Sequence, residues 1–359
     1  MNKYKLFDTP KKVIEDMIQE IKQAKKTIFV DIYAIRGDRI GRQFLKALAK
    51  KSKQIRIVAM VDSWGSRLYD ERIEHIIRKS KIEFVRYNPI IKGLLNITQA
   101  MKRIRTRNHR KMLIIDNSVA YVGGVNIHKR ELRWRDFHVK IKGKIITKLK
   151  KHFWEMYTIS KSKEILHPKT DKELNTYDMD EDVILRQIPH TKHKQITTEI
   201  TNLIKQAKKE VRLCTPYFVP TDTFFKTLKE AGKRGVRVSV ITAGKADYKF
   251  STILNKYYAQ AARKINVQTY MYPKMIHAKY LIIDDTHVSF GSANMDQQTE
   301  HSNYELNIVS KNRNLYKQFN KVWTEDKQKA RLFTERMWIR RPQINRFIEP
   351  ILLRAKTFF

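Results

Sequence analysis

From residue 10 the chain keeps switching between two hydrophobic rhythms. Thr9-Pro10 followed by VIEDMIQEIKQAKK has the apolar spacing of a helix that starts at a proline, and it leads directly into the apolar run TIFVDIYAI at 27–35. That order predicts a helix feeding a buried strand. The alternation continues with a helix near 38–54, the strand IRIVAMVDS, a helix around 66–80 and the strand IEFVRYN. It restarts in the second half: helix at 194–209, strand EVRLCTPYF, helix at 221–235, strand VRVSVITAG, helix at 247–264 and strand VQTYMYP. Such alternation predicts an α/β fold of two similar half-domains, each a mixed, mostly parallel sheet flanked by helices.

The halves also repeat in detail. IKQAKK occurs at 21–26 and 204–209, just before the first strand of each half. His-x-Lys-x4-Asp occurs as His109, Lys111 and Asp116, and again as His277, Lys279 and Asp284. Each copy is followed by a turn ending in asparagine, Gly123-Gly124-Val125-Asn126 and Gly291-Ser292-Ala293-Asn294. Every residue of this motif and turn lies 168 positions from its counterpart. A constant separation suggests pseudo-two-fold related halves that meet face to face, each bringing one histidine to a shared site. The IKQAKK pair is 183 apart, so roughly fifteen extra residues enter the first half, most simply in 90–108. The expected division is a first half at 1–165, a charged linker at 166–182 and a second half at 183–359. From 312 a long helical pattern leads to RMWIRRPQINRFIEPILLRAKTFF, where arginines alternate with large apolar residues. Two readings stand for this tail: a cover on the second half's core, or a membrane-docking segment.

Composition narrows the chemistry. With 359 residues and 42% apolar content, each half can build a core. The 74 Lys and Arg against 36 Asp and Glu leave a net charge of +38, which suits a polyanionic partner such as nucleic acid or an anionic membrane surface. The single cysteine, Cys214, excludes a disulfide framework and fits a reduced, packed thiol. No run reaches about eighteen apolar residues and the N-terminus has no signal-peptide core, so membrane contact is expected to be peripheral.

If each motif lies on a strand, the lysine two residues after the histidine points to the same side, and one face presents imidazole beside ammonium. Asp116 and Asp284 lie an odd number of residues further on and fall on the opposite face. They are read as buried structural carboxylates that need hydrogen-bonding partners. Two imidazoles and two ammonium groups suit exchange at a phosphodiester. One neutral imidazole attacks phosphorus, and the other, protonated, donates to the leaving alkoxide. Lys111, Lys279, Asn126 and Asn294 hold the non-bridging oxygens, with Ser292 adding a hydroxyl. An imidazole in this role needs an acceptor on its other nitrogen. Asp136 and Glu305, ten and eleven residues after the motif asparagines, are assigned that task. The competing reading of both is a strand carboxylate in a surface ion pair. Lysine is a poor companion for a cation, so no metal is expected, and no cofactor fingerprint is present. His128, His138, His287 and His301 read as solvated or structural.

These residues resemble the paired HKD motifs of the phospholipase D superfamily. Within it, VDSWGS at 61–66, NHRK, GGVN, Trp134-x-Asp136, TPYFVP at 215–220, HAK at 277–279, GSANMD and Asn303-x-Glu305 are most similar to bacterial cardiolipin synthases. The resemblance implies the phospholipase D fold and a metal-independent transfer through a phosphohistidine, with His109 as nucleophile and His277 as acid and then base. It implies that two phosphatidylglycerol molecules give cardiolipin and glycerol. Gln298 and Thr299 depart from the Arg-Ser usual in the family, which bears on the choice of acceptor.

For lipid contact, Leu94, Leu95 and Ile97 with Lys102, Arg103, Arg105, Arg107 and Arg110 are expected to meet anionic phospholipid at the cytoplasmic face of the membrane. The bland counterpart is a solvated basic loop. Other chemistries remain open: hydrolysis of phospholipids with water as acceptor, or a nuclease acting on a nucleic-acid backbone.

Overall fold

In the computed structural model, residues 2–66, 70–89, 104–162, 182–191 and 194–354 are described. The chain divides into two compact units, Met1–Met179 with Asn303–Glu305, and Asp180–Ser302 with Leu306–Phe359. The linker assigned to 166–182 lies, but for Asp182, outside the described residues, and so do Leu94, Leu95, Ile97, Lys102 and Arg103.

The first unit runs β1 (Lys3–Phe7), α1 (Pro10–Gln23), β2 (Thr27–Ile32), α2 (Arg39–Lys51), β3 (Arg56–Asp62), α3 (Glu71–Arg78), β4 (Glu83–Tyr87), β5 (Arg107–Asn108), β6 (Lys111–Ile115), β7 (Val119–Gly123), β8 (His138–Lys142) and α4 (Ile145–Lys161). Local chemistry sets several boundaries. Pro10 opens α1, whose Val13, Ile14, Met17, Ile18 and Ile21 form one buried stripe. Asp38 caps α2 by accepting the N–H groups of Ile40 and Gly41. These helices bury their stripes on β2 and β3 in a single core that includes Phe44, Leu48, Val30, Ala59 and Leu113.

Strand order in this unit is β1-β8-β7-β6-β2-β3-β4. Within this sheet β2, β3 and β4 are the parallel neighbours. The pairs β2 with β6, β6 with β7, β7 with β8 and β1 with β8 are antiparallel. The expectation of a mostly parallel sheet is therefore corrected to a mixed sheet with an antiparallel majority. The reason is local: the motif strand and the strand after it are joined by a tight turn, which permits only antiparallel pairing.

The second unit repeats the plan. It contains β9 (Val183–Gln187), α5 (Gln195–Gln206), β10 (Glu210–Cys214), α6 (Asp222–Lys233), β11 (Arg237–Ala243), α7 (Lys249–Arg263), β12 (Gln268–Tyr272), β13 (Tyr280–Ile283), β14 (His287–Gly291), α8 (Gln297–His301) and β15 (Asn303–Ser310). Its sheet is parallel through β10, β11 and β12 and antiparallel through β10, β13, β14 and β15. The long helix expected from 312 is broken into α9 (Arg313–Lys329), β16 (Arg331–Leu332), α10 (Glu335–Ile339) and α11 (Gln343–Arg354). Residues 331 and 332 leave the helix to pair with β12, and Pro342 prevents α10 from continuing into α11. Among the described residues no helix is long and apolar enough to cross a membrane.

The first glycine of each motif turn has a packing reason. A Cβ on Gly123 would lie 2.5 Å from the Phe137 carbonyl oxygen, and one on Gly291 would lie 2.2 Å from that of Leu306. Each glycine lets its strand approach the next without a side chain between them.

Candidate active site

His109 stands just before β6, whose first residue is Lys111, and His277 stands three residues before β13. Strand pairing thus starts later than a continuous strand from each histidine would require. At His109 the cause is visible: its N–H is donated to the Tyr304 carbonyl at 3.0 Å and not to β2. The lysines nevertheless stay beside their histidines. Lys111 Nζ donates to the His109 carbonyl at 2.5 Å, and Lys279 Nζ donates to the His277 carbonyl. Both ammonium groups belong to almost fully buried residues.

The acceptor on His109 is Glu305. Its Oε1 lies 2.9 Å and its Oε2 3.1 Å from His109 Nδ1. Asn303 Nδ2 donates to Glu305 Oε1 at 3.1 Å. The pairing comes about because Asn303 and Tyr304 align in parallel with Arg107 and Asn108. Residues 303–305 therefore group with the first unit although they follow the second motif. The carboxylate is fully buried, so a surface ion pair does not describe it. Tyr33 packs edge-on to the imidazole with ring centroids 5.0 Å apart, and Lys111 Nζ lies 5.0 Å from the same phenol ring.

Asp136 is likewise buried, and its Oδ1 accepts the Phe137 N–H at 2.8 Å. Asn126 is held from both ends. Its Oδ1 accepts from the Ala34 N–H at 3.2 Å, while its Nδ2 donates to Glu131 Oε1 at 2.7 Å. Asn294 is held differently. Its N–H goes to Thr299 Oγ1 at 3.1 Å and its carbonyl accepts from Thr215 Oγ1 at 2.7 Å. Its Oδ1 is buried without a hydrogen-bonding partner among the described residues. Thr299 stands 168 residues after Glu131, so the departure at 299 falls on the residue that braces the motif asparagine.

Ser292 is corrected. Its hydroxyl donates to the Leu306 carbonyl at 3.4 Å and accepts the Leu306 N–H at 3.1 Å, which ties β14 to β15 and turns the proton away from any phosphate. Two of the proposed lipid-facing cations are corrected as well. Arg107 is paired with Asp62 at 3.2 Å, and Arg110 is paired with Asp31 and donates to the His152 carbonyl at 3.2 Å. Both arginines are buried, because carboxylates at or near the ends of β2 and β3 draw them inward. Arg105 is partly buried.

The motif aspartates are half-buried, not buried, and they do the same work in each unit. Asp116 accepts the backbone N–H groups of Lys25, Lys26 and Thr27 at 2.7, 2.7 and 3.0 Å. Asp284 accepts those of Lys208, Lys209 and Glu210 at 3.0, 2.8 and 2.9 Å. Both have positive φ, 53° and 50°, at the start of the turn after the motif strand. Burial alone would raise both carboxyls, but the backbone donors outweigh it and hold them below the usual carboxylate range. This explains the IKQAKK repeat: its last residues lead into the backbone that each aspartate grips.

A family model described as cardiolipin synthase, PLD-like domain, matches residues 17–157 and 200–327. The chain belongs to this family. The PLD-like protein is 30% identical to a cardiolipin synthase of Clostridium perfringens over 98% of its own length and 76% of that relative. It is 28% identical to a Staphylococcus aureus cardiolipin synthase, covering 98% and 74% of the two chains. Among solved structures, the phosphatidylserine synthase of Haemophilus influenzae Rd KW20 superposes with a TM-score of 0.77 at 13% identity, covering 99% of this chain and 95% of that one. That likeness carries the phospholipase D fold. Family and relatives together make this chain an enzyme of the phospholipase D superfamily.

Sequence reasoning missed Tyr33, Glu131, Asn303, Asp31, Asp62 and Asn255. Asn255, on α7, donates to the carbonyls of Pro216 and Ala243, each at 3.0 Å, and accepts the Phe218 N–H at 2.8 Å, so it pins TPYFVP from a distant helix. Asp62 and Asn303 stood inside the phrases VDSWGS and Asn303-x-Glu305 without a role being read from them, and Glu131 left a signal through its 168-residue correspondence with Thr299.

Proposed function

We propose that the protein is a phosphatidyltransferase of the cardiolipin synthase type, transferring a phosphatidyl group between two phosphatidylglycerol molecules through a phosphohistidine and without a metal. The observation that carries this reading is the buried Glu305 carboxylate on Nδ1 of His109. A carboxylate there keeps the proton on Nδ1, leaves the Nε2 lone pair as the attacking atom and stabilises the cation that forms.

In the first step His109 Nε2 bonds to phosphorus, the bond to the glycerol oxygen breaks, and His277 gives that oxygen a proton. In the second, His277 takes the proton of the acceptor lipid's hydroxyl. The acceptor oxygen bonds to phosphorus, and the P–N bond breaks to restore His109. Lys111, Lys279, Asn126 and Asn294 hold the non-bridging oxygens. Glu305, which follows the second motif, serves the histidine of the first. By the internal repeat Asp136, which follows the first motif, is assigned to His277. The partner is an anionic, phosphatidylglycerol-containing membrane, and the enzyme acts as a peripheral protein at its cytoplasmic face.

The test is to incubate the purified chain with phosphatidylglycerol in detergent micelles and a chelator. Cardiolipin and glycerol are expected, with loss of both in His109→Ala. Phosphatidic acid as the sole product would make the enzyme a hydrolase. Cleavage of single-stranded DNA with lipid untouched would make it a nuclease.

A further inference from the structure

The most exposed large apolar side chains among the described residues are gathered in the last two helices of the second unit. Ile339, Ile344, Phe347 and Ile351 are 60, 61, 74 and 67% exposed. In α11 the last three stand at i, i+3 and i+7, which places them on one face. The other side of the helix, with Ile348, Glu349, Leu352 and Leu353, is the less exposed one, and α11 packs on α7. Packing within the unit therefore accounts for the inner face of α11 and leaves the outer apolar ridge in water.

The charges around the ridge are mostly of one sign. Arg336, Arg340, Arg346 and Arg354 are exposed. Between residues 336 and 354 the only carboxylate is Glu349, which is buried and paired with Arg341 at 2.8 Å. Arg341 in turn lies over the Trp338 ring at 3.3 Å, so this pair is spent on joining α10 to α11. The outer face thus offers an apolar ridge flanked by cations, and the exposed acid at the start of α10, Glu335, is already engaged by Arg263 at 2.9 Å. A second copy of the chain would bring the same four arginines against these four. A polynucleotide would use the arginines and leave the ridge unsatisfied. An anionic bilayer satisfies both: the acyl boundary accepts the apolar side chains while the guanidinium groups stay with the phosphates.

We propose that α11 is a membrane-docking helix that lies in the headgroup layer of an anionic bilayer, with Ile344, Phe347 and Ile351 inserted and Arg340, Arg346 and Arg354 on lipid phosphates. The choice of lipid as partner rests on the function proposed above. The surface itself is separable from that function, because none of these residues belongs to the catalytic set.

The test is sedimentation of the full chain with vesicles of equal parts phosphatidylcholine and phosphatidylglycerol, and with phosphatidylcholine alone. The wild type is expected to favour the anionic vesicles by about tenfold or more. The triple variant Ile344→Ser, Phe347→Ser, Ile351→Ser is expected to bind them about tenfold or more weakly, with an unchanged thermal midpoint. The variant Arg340→Gln, Arg346→Gln, Arg354→Gln is expected to flatten the salt dependence. Wild type that ignores the anionic vesicles, or a serine variant that binds them as well as wild type, overturns the proposal. So does a serine variant that changes only the oligomeric mass, since a second copy would then cover the ridge. Cardiolipin formation in detergent micelles reads the reaction separately. A serine variant active there and inactive on vesicles supports docking, whereas a wild type that binds vesicles yet makes no cardiolipin in micelles refutes the reaction alone.

Discussion

Glu305 holds Nδ1 of His109 at 2.9 Å, although the two residues are 196 positions apart in the chain. The carboxylate is buried and is itself positioned by Asn303, so it orients the ring and supplies the negative charge that an attacking imidazole needs. Glu305→Gln keeps the shape and removes the charge. Its kcat for transfer is expected to fall on the order of 10²–10⁴-fold with little change in KM. Glu305→Ala is expected to fall at least as far and also to lose orientation. Steady-state assays on micellar phosphatidylglycerol decide it, and a Gln variant within about threefold of wild type would remove Glu305 from the mechanism.

Acid stability should have two stages, because two kinds of group are depressed in the fold. His138 is buried, its Nδ1 accepts the Val125 N–H at 3.3 Å, and burial, partly opposed by Asp136, holds its pKa down to about 4 from 6.5. The folded state prefers the neutral ring, so this contribution is complete above the unfolded value of 6.5 and is lost as pH falls toward 4. It amounts to about 3 kcal/mol as an order of magnitude. Asp116 and Asp284 are lowered from 3.8, so their share is present above that value and is lost only as pH falls further. Urea midpoints measured from pH 8 to pH 3 should fall first between 6.5 and 4, and His138→Gln should remove most of that first fall, the rest belonging to His287, whose pKa is also lowered by burial and by Lys311. Asp116→Asn and Asp284→Asn should each cost about 1–2 kcal/mol at neutral pH, discounted for the solvent access of a half-buried group.

Much of this fold was legible in residue order. Helix and strand segments fell where periodicity placed them because each helix buries one stripe and each central strand buries both faces, as α1 and β2 do. The motif pairs were legible because they are repeated at constant spacing. Pairing direction was not, since parallel and antiparallel strands read alike when both faces are buried, as in β2 and β6. The fates of Arg107 and Arg110 were hidden for a related reason. A basic run on paper does not say which cations find buried carboxylates, and Asp31 and Asp62 lie far away in sequence. Glu305 was picked out by its distance from Asn294. Its partner was set by the pairing of residues 303 and 304 with 107 and 108, which no local pattern encodes.

The two units differ just beneath their histidines. In the first, buried Asp31 and Asp62 hold Arg110, Arg107 and Asn108. Strand register places Cys214 and Ala243 of the second unit where Asp31 and Asp62 stand, and the motif spacing places Met275, Ile276 and Ala278 where Arg107, Asn108 and Arg110 stand. All five are buried. One polar cluster thus corresponds to one apolar cluster, and HAK differs from HRK because the strands beside it carry Cys214 and Ala243 at these positions and no carboxylate to meet an arginine. Asp31→Cys alone, or Arg110→Ala alone, leaves a buried charge without its counter-ion and should cost about 3–5 kcal/mol. The double variant should recover much of that loss, with Asn108 left to find another acceptor. A double-mutant cycle in urea reads the coupling, and simple additivity of the two single losses would show that the pair does not act as a unit.

Which histidine takes the phosphatidyl group is open to a direct chemical separation. A substrate with a p-nitrophenolate leaving group needs no proton in the first step, so general acid catalysis becomes dispensable there and nucleophilic attack does not. His277→Asn should therefore still release a burst of p-nitrophenol close to one equivalent per enzyme, and then stall, because no base remains to activate the acceptor. His109→Asn should give no burst with any leaving group. The adduct in the stalled variant should be labile to acid and stable to alkali, as a P–N bond requires, and mapping it to residue 109 completes the assignment. A burst from His109→Asn, or an adduct on another residue, would exchange the roles of the two histidines or remove the covalent step, while leaving the carboxylate on Nδ1 of His109 to be explained as an anchor for a general acid.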